Sequence, residues 1–365
     1  MKISMISTLP PIKGLSPYTL NLIKDLSKKC EIDFYGFKKI YPEFFYPGGT
    51  KTNEEEPKIK NVNIMNYLKW YNFFSWIKTG FQIDTEIIHA QWWSWLLAPI
   101  YSTILKIAKF RGKKIIMTIH NVKPHEKSWI KNKLNSSVIN LADEYIVHSE
   151  DNKKQFLDLT NTTKKIHVIP HGIIKMEKSN KTKKELIKEY NFNNKDKIIL
   201  FFGNIREYKG LDILLEVVSK IKNIKLIIAG KPWGSFEGYD ELIKKYKINN
   251  KIIKFLDFIP NDKLAELFKV SDLVVYPYKE FEASSGAGAV ALNFEKPIVV
   301  TNVGGLPELV KDKNVISKPN DVEDLFNKIE YALKNIKKLE EDSKEKAKEF
   351  SWDKIAEKTM EVYGG

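Results

Sequence analysis

Short apolar runs alternate along the chain with longer stretches whose apolar residues recur every three or four positions. The first kind reads as buried strand and the second as helix, so the pattern predicts parallel sheets covered by helices. A first strand is expected at Ile3–Ser7. Pro17–Lys29 has helical spacing, with Leu20, Ile23 and Leu26 on one face and Ser16 as N-cap. Further strands are expected at Ile32–Tyr35, Glu86–Ala90, Lys114–Ile119, Glu144–His148 and Ile166–Ile169. Phe44–Lys60, with Pro47-Gly48-Gly49 and Glu54-Glu55-Glu56, reads as a mobile loop. Pro170-His171-Gly172 closes the series, and Lys175–Lys184 reads as a linker.

A second alternation follows. Strands are expected at Lys197–Phe202, Ile224–Ala229, Ile252–Phe255, Leu273–Tyr276 and Pro297–Val300, with helices at Leu211–Lys220 and Tyr239–Tyr246. A long charged helical region, Asp321–Lys348, precedes a last amphipathic piece, Trp352–Val362. The expected fold class is α/β: two tandem Rossmann-like doubly wound domains, residues 1–174 and 175–350, facing a central cleft. In such folds ligands bind at the carboxyl ends of the strands.

Composition narrows the setting. The chain has 365 residues, 43% of them apolar, enough for two packed cores. One cysteine, Cys30, excludes an internal disulfide. The opening Met1-Lys2-Ile3-Ser4-Met5-Ile6 is interrupted too early for a secretory signal. No apolar run reaches the ~18 residues of a spanning helix. A cytoplasmic protein is expected.

The formal charge of +14 is uneven, with 26 Lys/Arg against 15 Asp/Glu through Lys175 and 34 against 31 beyond it. A basic first half attracts a phosphorylated acceptor, anionic headgroups or nucleic acid. Lysine used as the default surface residue accounts for the excess equally well. The charges are scattered, and neither zinc-ligand spacing nor an RNA-binding aromatic motif accompanies them, so nucleic acid is not an expected partner. Six of the eight tryptophans lie between Trp70 and Trp129. Tryptophan packs cores, stacks on sugars and sits at membrane interfaces. With the basic balance, this adds a peripheral contact at the inner membrane surface to the expectations.

Four constellations carry candidate chemistry. In Phe201-Phe202-Gly203-Asn204-Ile205-Arg206-Glu207-Tyr208-Lys209-Gly210 a strand runs into a glycine turn, two cations and a helix start. Gly203 permits the sharp turn. Arg206 can fork onto two phosphate oxygens, and Lys209 adds a point charge. The chain has only two arginines, Arg111 and Arg206, so an arginine here suggests bidentate geometry rather than a solvated loop. The second is Glu282-Ala283-Ser284-Ser285-Gly286-Ala287-Gly288, small residues at a helix start whose N–H groups could cradle a phosphate. Glycines there also serve close packing. The third is His120-Asn121 after the strand Lys114–Ile119, where a histidine can bond a sugar hydroxyl or shuttle a proton. Structural roles are expected for His148, His167 and His171. The fourth is Pro10-Pro11-Ile12-Lys13-Gly14-Leu15-Ser16, where Gly14 lets the backbone approach a sugar or diphosphate. It lacks dinucleotide-binding spacing. No Asp-x-Asp or Cys/His cluster suggests a metal, so neither metal nor cofactor is expected.

These residues, in order, resemble the retaining family four of the glycosyltransferases, with the GT-B fold, over nearly the whole chain. The resemblance rests on the Pro10-Pro11…Gly14 start, His120-Asn121…Pro124-His125-Glu126 and Ile169-Pro170-His171-Gly172. It also rests on Gly203…Arg206…Lys209-Gly210 and on Lys296-Pro297-Ile298-Val299…Asn302-Val303-Gly304-Gly305-Leu306-Pro307-Glu308. It implies that Arg206 and Lys209 hold a donor diphosphate, that Gly14 approaches the donor, that His120 lies near the transferred sugar, and that the helix 351–365 packs back on the first domain. Two departures stand out. The family commonly has arginine where Asn204 stands. Its paired glutamates align with Glu282 and Val290, so the second, associated with the donor ribose, is missing. Some members use Ser-Gly at that helix start instead, matching Ser285-Gly286.

The implied reaction is hexose transfer, with retention, from a nucleotide-diphosphate sugar to a glycan or lipid-linked acceptor. Catalytic roles are implied for His120, Arg206, Lys209 and Glu282. Donor contacts are implied for Gly14, Gly203, Arg206, Lys209, Ser285 and Gly286. A nucleotide-sugar epimerase or hydrolase on the same fold, and a non-catalytic nucleotide-sugar-binding protein, are the alternatives.

Overall fold

The computed structural model describes residues 1–42, 51–52, 54–122, 129–173, 176–281 and 286–364. The chain divides into two compact units, Met1–Gly172 with Trp352–Gly365, and Ile173–Ser351.

In the first unit the chain runs β1 (Lys2–Ile6), α1 (Ser16–Leu26), β2 (Glu31–Lys39), β3 (Val62–Lys69), α2 (Phe73–Gln82) and β4 (Ile87–Trp92). It continues through α3 (Ala98–Phe110), β5 (Lys114–Ile119), α4 (Trp129–Ile139), β6 (Glu144–Val147), α5 (Glu150–Thr160) and β7 (Ile166–Val168). The described residues form a seven-stranded sheet in the order β3-β2-β1-β4-β5-β6-β7. Every pairing in it is parallel.

Strand alternation serves both faces at once. Ile3, Met5, Phe34, Ile116 and Ile146 face one apolar layer, and Ile6, Tyr35, Ile115, Met117 and Val147 face the other. That two-sided burial is why the strands read as apolar runs rather than strict alternation.

The second unit runs α6 (Lys183–Glu189), β8 (Lys197–Phe202), α7 (Leu211–Lys220), β9 (Ile224–Ala229), α8 (Glu237–Lys245), β10 (Ile252–Phe255) and α9 (Asn261–Val270). After these come β11 (Leu273–Tyr276), α10 (Gly286–Asn293), β12 (Ile298–Thr301), β13 (Ile316–Ser317), α11 (Val322–Lys334) and α12 (Ile336–Glu349). Its described residues form a six-stranded parallel sheet, β10-β9-β8-β11-β12-β13. Both are open doubly wound sheets. The winding reverses between β1 and β4 in the first and between β8 and β11 in the second.

The last helix, α13 (Trp352–Gly364), belongs to the first unit and packs on α1. Trp352, Ile355, Ala356, Val362 and Tyr363 join Leu22, Ile23 and Leu26 in one apolar cluster. The Trp352 ring also lies edge-on to Tyr18, 5.2 Å between centroids.

Several elements differ from the sequence reading. Ser16 is the first helical residue rather than the cap, and its hydroxyl turns back to the Ile12 carbonyl. The charged stretch Asp321–Lys348 breaks in two at Asn335, where the α11 carbonyls are capped. β3 and α2 had no counterpart in the apolar pattern, because β3 (VNIMNYLK) is an edge strand and α2 carries its three phenylalanines outward. The expected loop Phe44–Lys60 falls partly outside the described residues.

Replacing Trp352 with alanine should remove the keystone of the α1–α13 layer. Loss of a buried indole costs about 3–5 kcal/mol, to be read as a lower urea midpoint with an unchanged slope.

Candidate functional site

In the second unit the sequence places two cations just past the end of β8, and the sheet order puts them at its reversal point. Gly203 ends β8 at φ +118°, a left-handed conformation that favours glycine. A Cβ there would also sit 2.8 Å from the Lys209 ammonium and 3.6 Å from Ala287. Gly203, Lys209 and the first turn of α10, which Gly286 opens, therefore converge. The loop after β11 closes the other side. The Lys279 amide donates to the Tyr208 carbonyl (2.7 Å), and the Lys209 ammonium lies 5.3 Å from the centre of the Tyr278 ring.

Arg206 is fixed from β9. The Ile205 amide donates to the Lys231 carbonyl and the Trp233 amide to the Ile205 carbonyl, both at 2.9 Å. This pairing slides the Trp233 indole under Arg206, whose guanidinium carbon is 4.1 Å from the ring centre. Asn204, Lys231, Pro232, Trp233 and Gly234 line a hollow of about 320 Å³ beside it.

Among the described residues neither cation meets a carboxylate, whereas Lys279 close by pairs with Asp212 at 2.8 Å. Lys209 is buried, at 8% exposure. Burial first, and then the Arg206 charge, pull its ammonium down to about 8. A buried unpaired ammonium beside a guanidinium is a costly arrangement that an anion relieves. Glu282 and Ser285 lie outside the described residues.

In the first unit the reversal point lies between the loop after β1 and the end of β4. Gly14 sits there at φ +100°, with Trp93 about 4 Å from where its Cβ would project. Thr8 Oγ1, also in contact with that position, is buried and lacks a hydrogen-bond partner among the described residues.

One strand further on, His120 follows β5 and joins a buried polar chain that sequence reasoning did not assemble. His148 and His171, read as structural, are its neighbours. The ring centroids of His120 and His148 are 4.8 Å apart, and those of His148 and His171 are 5.7 Å apart. Tyr18 stands edge-on to His120 at 4.7 Å. His167 lies elsewhere, paired with Glu144 at 2.6 Å. His89 and Gln91, alternate residues on the same face of β4, complete the chain. The signal available in sequence was their period-two spacing with polar side chains inside an apolar strand.

The proton positions follow from one end. The Ile169 carbonyl only accepts, so His148 donates to it from Nδ1 (3.0 Å) and, as a neutral ring, accepts at Nε2. His120 then donates from Nδ1 to His148 Nε2 (3.1 Å) and must accept at its own Nε2. The Gln91 amide lies between His120 and His89. With its Oε1 2.7 Å from His120 Nε2 and its Nε2 3.0 Å from His89 Nε2, an oxygen faces that ring nitrogen. This orientation requires a proton on the His120–His148 pair. A half-turn of the amide brings NH2 to His120 and removes the requirement.

Amide orientation and one proton are thus linked. Burial first, then the neighbouring rings, holds His120 well below the usual histidine range. Burial holds His148 and His89 at about 3. The neutral arrangement therefore prevails near pH 7. In it His89 shares its Nε2–H between Gln91 and Thr118 Oγ1 (2.7 Å) and accepts from the Tyr363 hydroxyl on α13 (2.6 Å). Both His120 nitrogens are engaged, so a ligand hydroxyl reaches them only by exchange with a partner.

Comparison with known proteins decides the family. A family model described as Glycosyltransferase Family 4 matches residues 12–174, and one described as Glycosyl transferases group 1 matches residues 182–350. The chain is a group 1 glycosyltransferase.

Two uncharacterized glycosyltransferases of Methanocaldococcus jannaschii resemble it. MJ1178 is 27% identical over 100% of this chain and 98% of its own length. MJ1607 is 31% identical, in an alignment that covers 60% of this chain and 59% of that protein. The chain thus spans about three-fifths of the length of MJ1607. Among solved structures, Anabaena Alr3699/HepE in complex with UDP superposes with a TM-score of 0.69 at 14% identity, covering 100% of both chains. The glycosyltransferase accordingly has the GT-B fold, two Rossmann-like domains in tandem.

Two outcomes are expected. Gln91→Glu presents only oxygen to His120 and should raise its titration by about 1 to 3 units, followed by NMR of the ring signals. An unchanged titration would show that Gln91 does not control that proton. For Lys209, the folded-state value of about 8 lies below the ordinary lysine value of 10.5, so the unfolded chain holds more protons between these values. Stability should rise with pH across that window. Lys209→Met should raise the unfolding midpoint at pH 7 and flatten the rise.

Proposed function

We propose that this glycosyltransferase moves a hexose, with retention, from a nucleoside-diphosphate sugar to a glycan or lipid-linked acceptor. The observation that carries the reading is the Arg206–Lys209 pair, without a carboxylate partner among the described residues, at the reversal point of the second sheet, against Gly203 and the start of α10. Breaking the donor's anomeric C–O bond sends its electron pair to a β-phosphate oxygen and leaves an oxocarbenium-like sugar. Charge therefore grows on the diphosphate in the transition state, where preorganised cations act most strongly. Arg206 suits a forked contact to two oxygens, its plane steadied by Trp233, and Lys209 supplies a compact charge.

On this reading a diphosphate raises the Lys209 titration and draws in a proton above pH 8. The acceptor hydroxyl attacks from the face the diphosphate leaves, and its proton passes to the departing oxygen, so no strong protein base is required. Gly14, His120 and the polar chain behind it serve the sugar. With the protein's own groups neutralising the diphosphate, neither metal nor cofactor enters the proposal. UDP, bound by the Anabaena protein, is the first nucleotide to test.

UDP should raise the unfolding midpoint by mass action, and Arg206→Ala should abolish that shift. Turnover in Arg206→Ala should fall by about 10²–10³-fold with the melting curve otherwise intact. Near-normal turnover would remove Arg206 from the mechanism. The anomeric configuration of the product, read by NMR, tests retention.

A further inference from the structure

Helix α2 is inside out. A surface helix normally buries its apolar stripe and exposes its polar one. Here the buried residues are Ser75, Thr79 and Gly80, and the exposed ones include Phe73, Phe74, Lys78 and Phe81. Phe74 is 82% exposed and Phe81 60%.

The inversion is built in rather than incidental. The Asn72 side chain caps the helix by accepting from the Ser75 amide (3.3 Å), and the Ser75 hydroxyl donates to the Asn72 carbonyl (2.6 Å). The Thr79 hydroxyl donates to the Ser75 carbonyl (2.8 Å), so the inward polar groups are satisfied locally. Gly80 lets α2 lie close on α3, since a Cβ there would come within 2.8 Å of Ile107. Arg111, just past α3, donates to the carbonyls of Gly80, Phe81 and Ile83 at the end of α2. The arginine thus fixes the two helix ends together, with Phe81 at one and Phe110, 91% exposed, at the other.

The aromatics are concentrated and so is the charge. Seven of the twelve exposed large apolar side chains among the described residues fall between Trp70 and Phe110. Trp70 and Tyr71 lead into the helix, edge to face at 5.4 Å. Residues 57–125 carry ten Lys/Arg and only two acidic residues, Asp84 and Glu86, so most of the basic excess of the first half lies in this segment. Some of these cations are paired, Arg111 and Lys113 with Asp84 and Lys109 with Asp143, but the excess is strongly basic. An aromatic face set among excess lysines is the composition of a helix lying in a lipid interface, with rings at the acyl boundary and ammonium groups among phosphates. Water alone gives no reason for it.

We propose that α2, with Trp70, Tyr71 and Phe110, is a docking face for an anionic bilayer, and that the first unit rests on the membrane through it. The occupant follows from charge: a second copy of this chain would set the same cations against one another, whereas a bilayer rich in acidic headgroups complements them. The reading owes nothing to the transferred sugar or its acceptor, and binding is measured without either. Its failure leaves the transferase reading standing, and the reverse holds.

The test is co-sedimentation of the full chain with vesicles of pure phosphatidylcholine and of phosphatidylcholine with phosphatidylglycerol, at low and high salt. Sizing by light scattering and melting curves accompany it. Binding to the anionic vesicles is expected, weakened by salt and by removal of the acidic lipid. The double variant Phe74→Ser, Phe81→Ser should lower the partition by roughly tenfold or more while melting as the parent does. Phe258→Ser, an equally exposed phenylalanine in the second unit, should not change it. Equal binding by the double variant would overturn the proposal, as would no binding to any vesicle. A concentration-dependent dimer that the double variant abolishes would assign the face to a second copy instead and overturn it too.

Discussion

Parallel strands buried on both faces are the constraint on which the rest depends. A strand such as Lys197–Phe202, apolar through Ile198, Ile199, Leu200 and Phe201, cannot leave either face to water. Helices must cover both sides, so each strand is followed by a crossover long enough to return the chain to the same edge of the sheet. Winding outward from the middle in both directions leaves one pair of adjacent strands whose following loops part company. In this protein that pair is β8 and β11 in one unit and β1 and β4 in the other. The hollow for a ligand is a by-product of covering the sheet.

What fills each hollow is set by electrostatics. Among its described residues the second unit sets two adjacent cations, Arg206 and Lys209, without acidic partners, and Lys209 is buried deeply enough to lose much of its affinity for a proton. A site of this kind is destabilised until an anion arrives, and differential binding of an increasingly charged diphosphate then becomes catalysis. The first unit takes the opposite course. Burial holds His89, His120 and His148 neutral, and every proton in the chain from Tyr363 to the Ile169 carbonyl is assigned by a partner. Such a chain holds His120 in one tautomer and one orientation, and it draws that order from β4, β5, β6 and the returning helix α13 together.

Surface and core obey the same accounting with opposite signs in α2. Satisfied polar groups and a glycine let the helix approach α3 closely, while its phenylalanine rings remain outside and only Trp76 among its aromatics turns to the core. The sequence pattern of this helix is periodic, but periodicity does not say which side of the helix meets the protein. The same ambiguity hid the helix from an apolar-pattern reading.

The sequence by itself determined the strand and helix alternation, the two-part organisation and the chemistry of the β8 turn. These are local properties: apolar runs, a glycine at a strand end, an arginine in a chain that otherwise uses lysine. Gly14, Gly203, Arg206, Lys209 and His120 could all be named from such signals. Only the tertiary structure decided what lies beside them. Trp233 reaches Arg206 through the pairing of the loops after β8 and β9, and Lys209 meets Tyr278 because β8 and β11 are neighbours. His89 and Gln91 on β4, His148 just after β6 and Tyr363 on α13 are spread over 275 positions of the chain, from residue 89 to residue 363. Strand order is a long-range choice made by packing, and no local pattern encodes it.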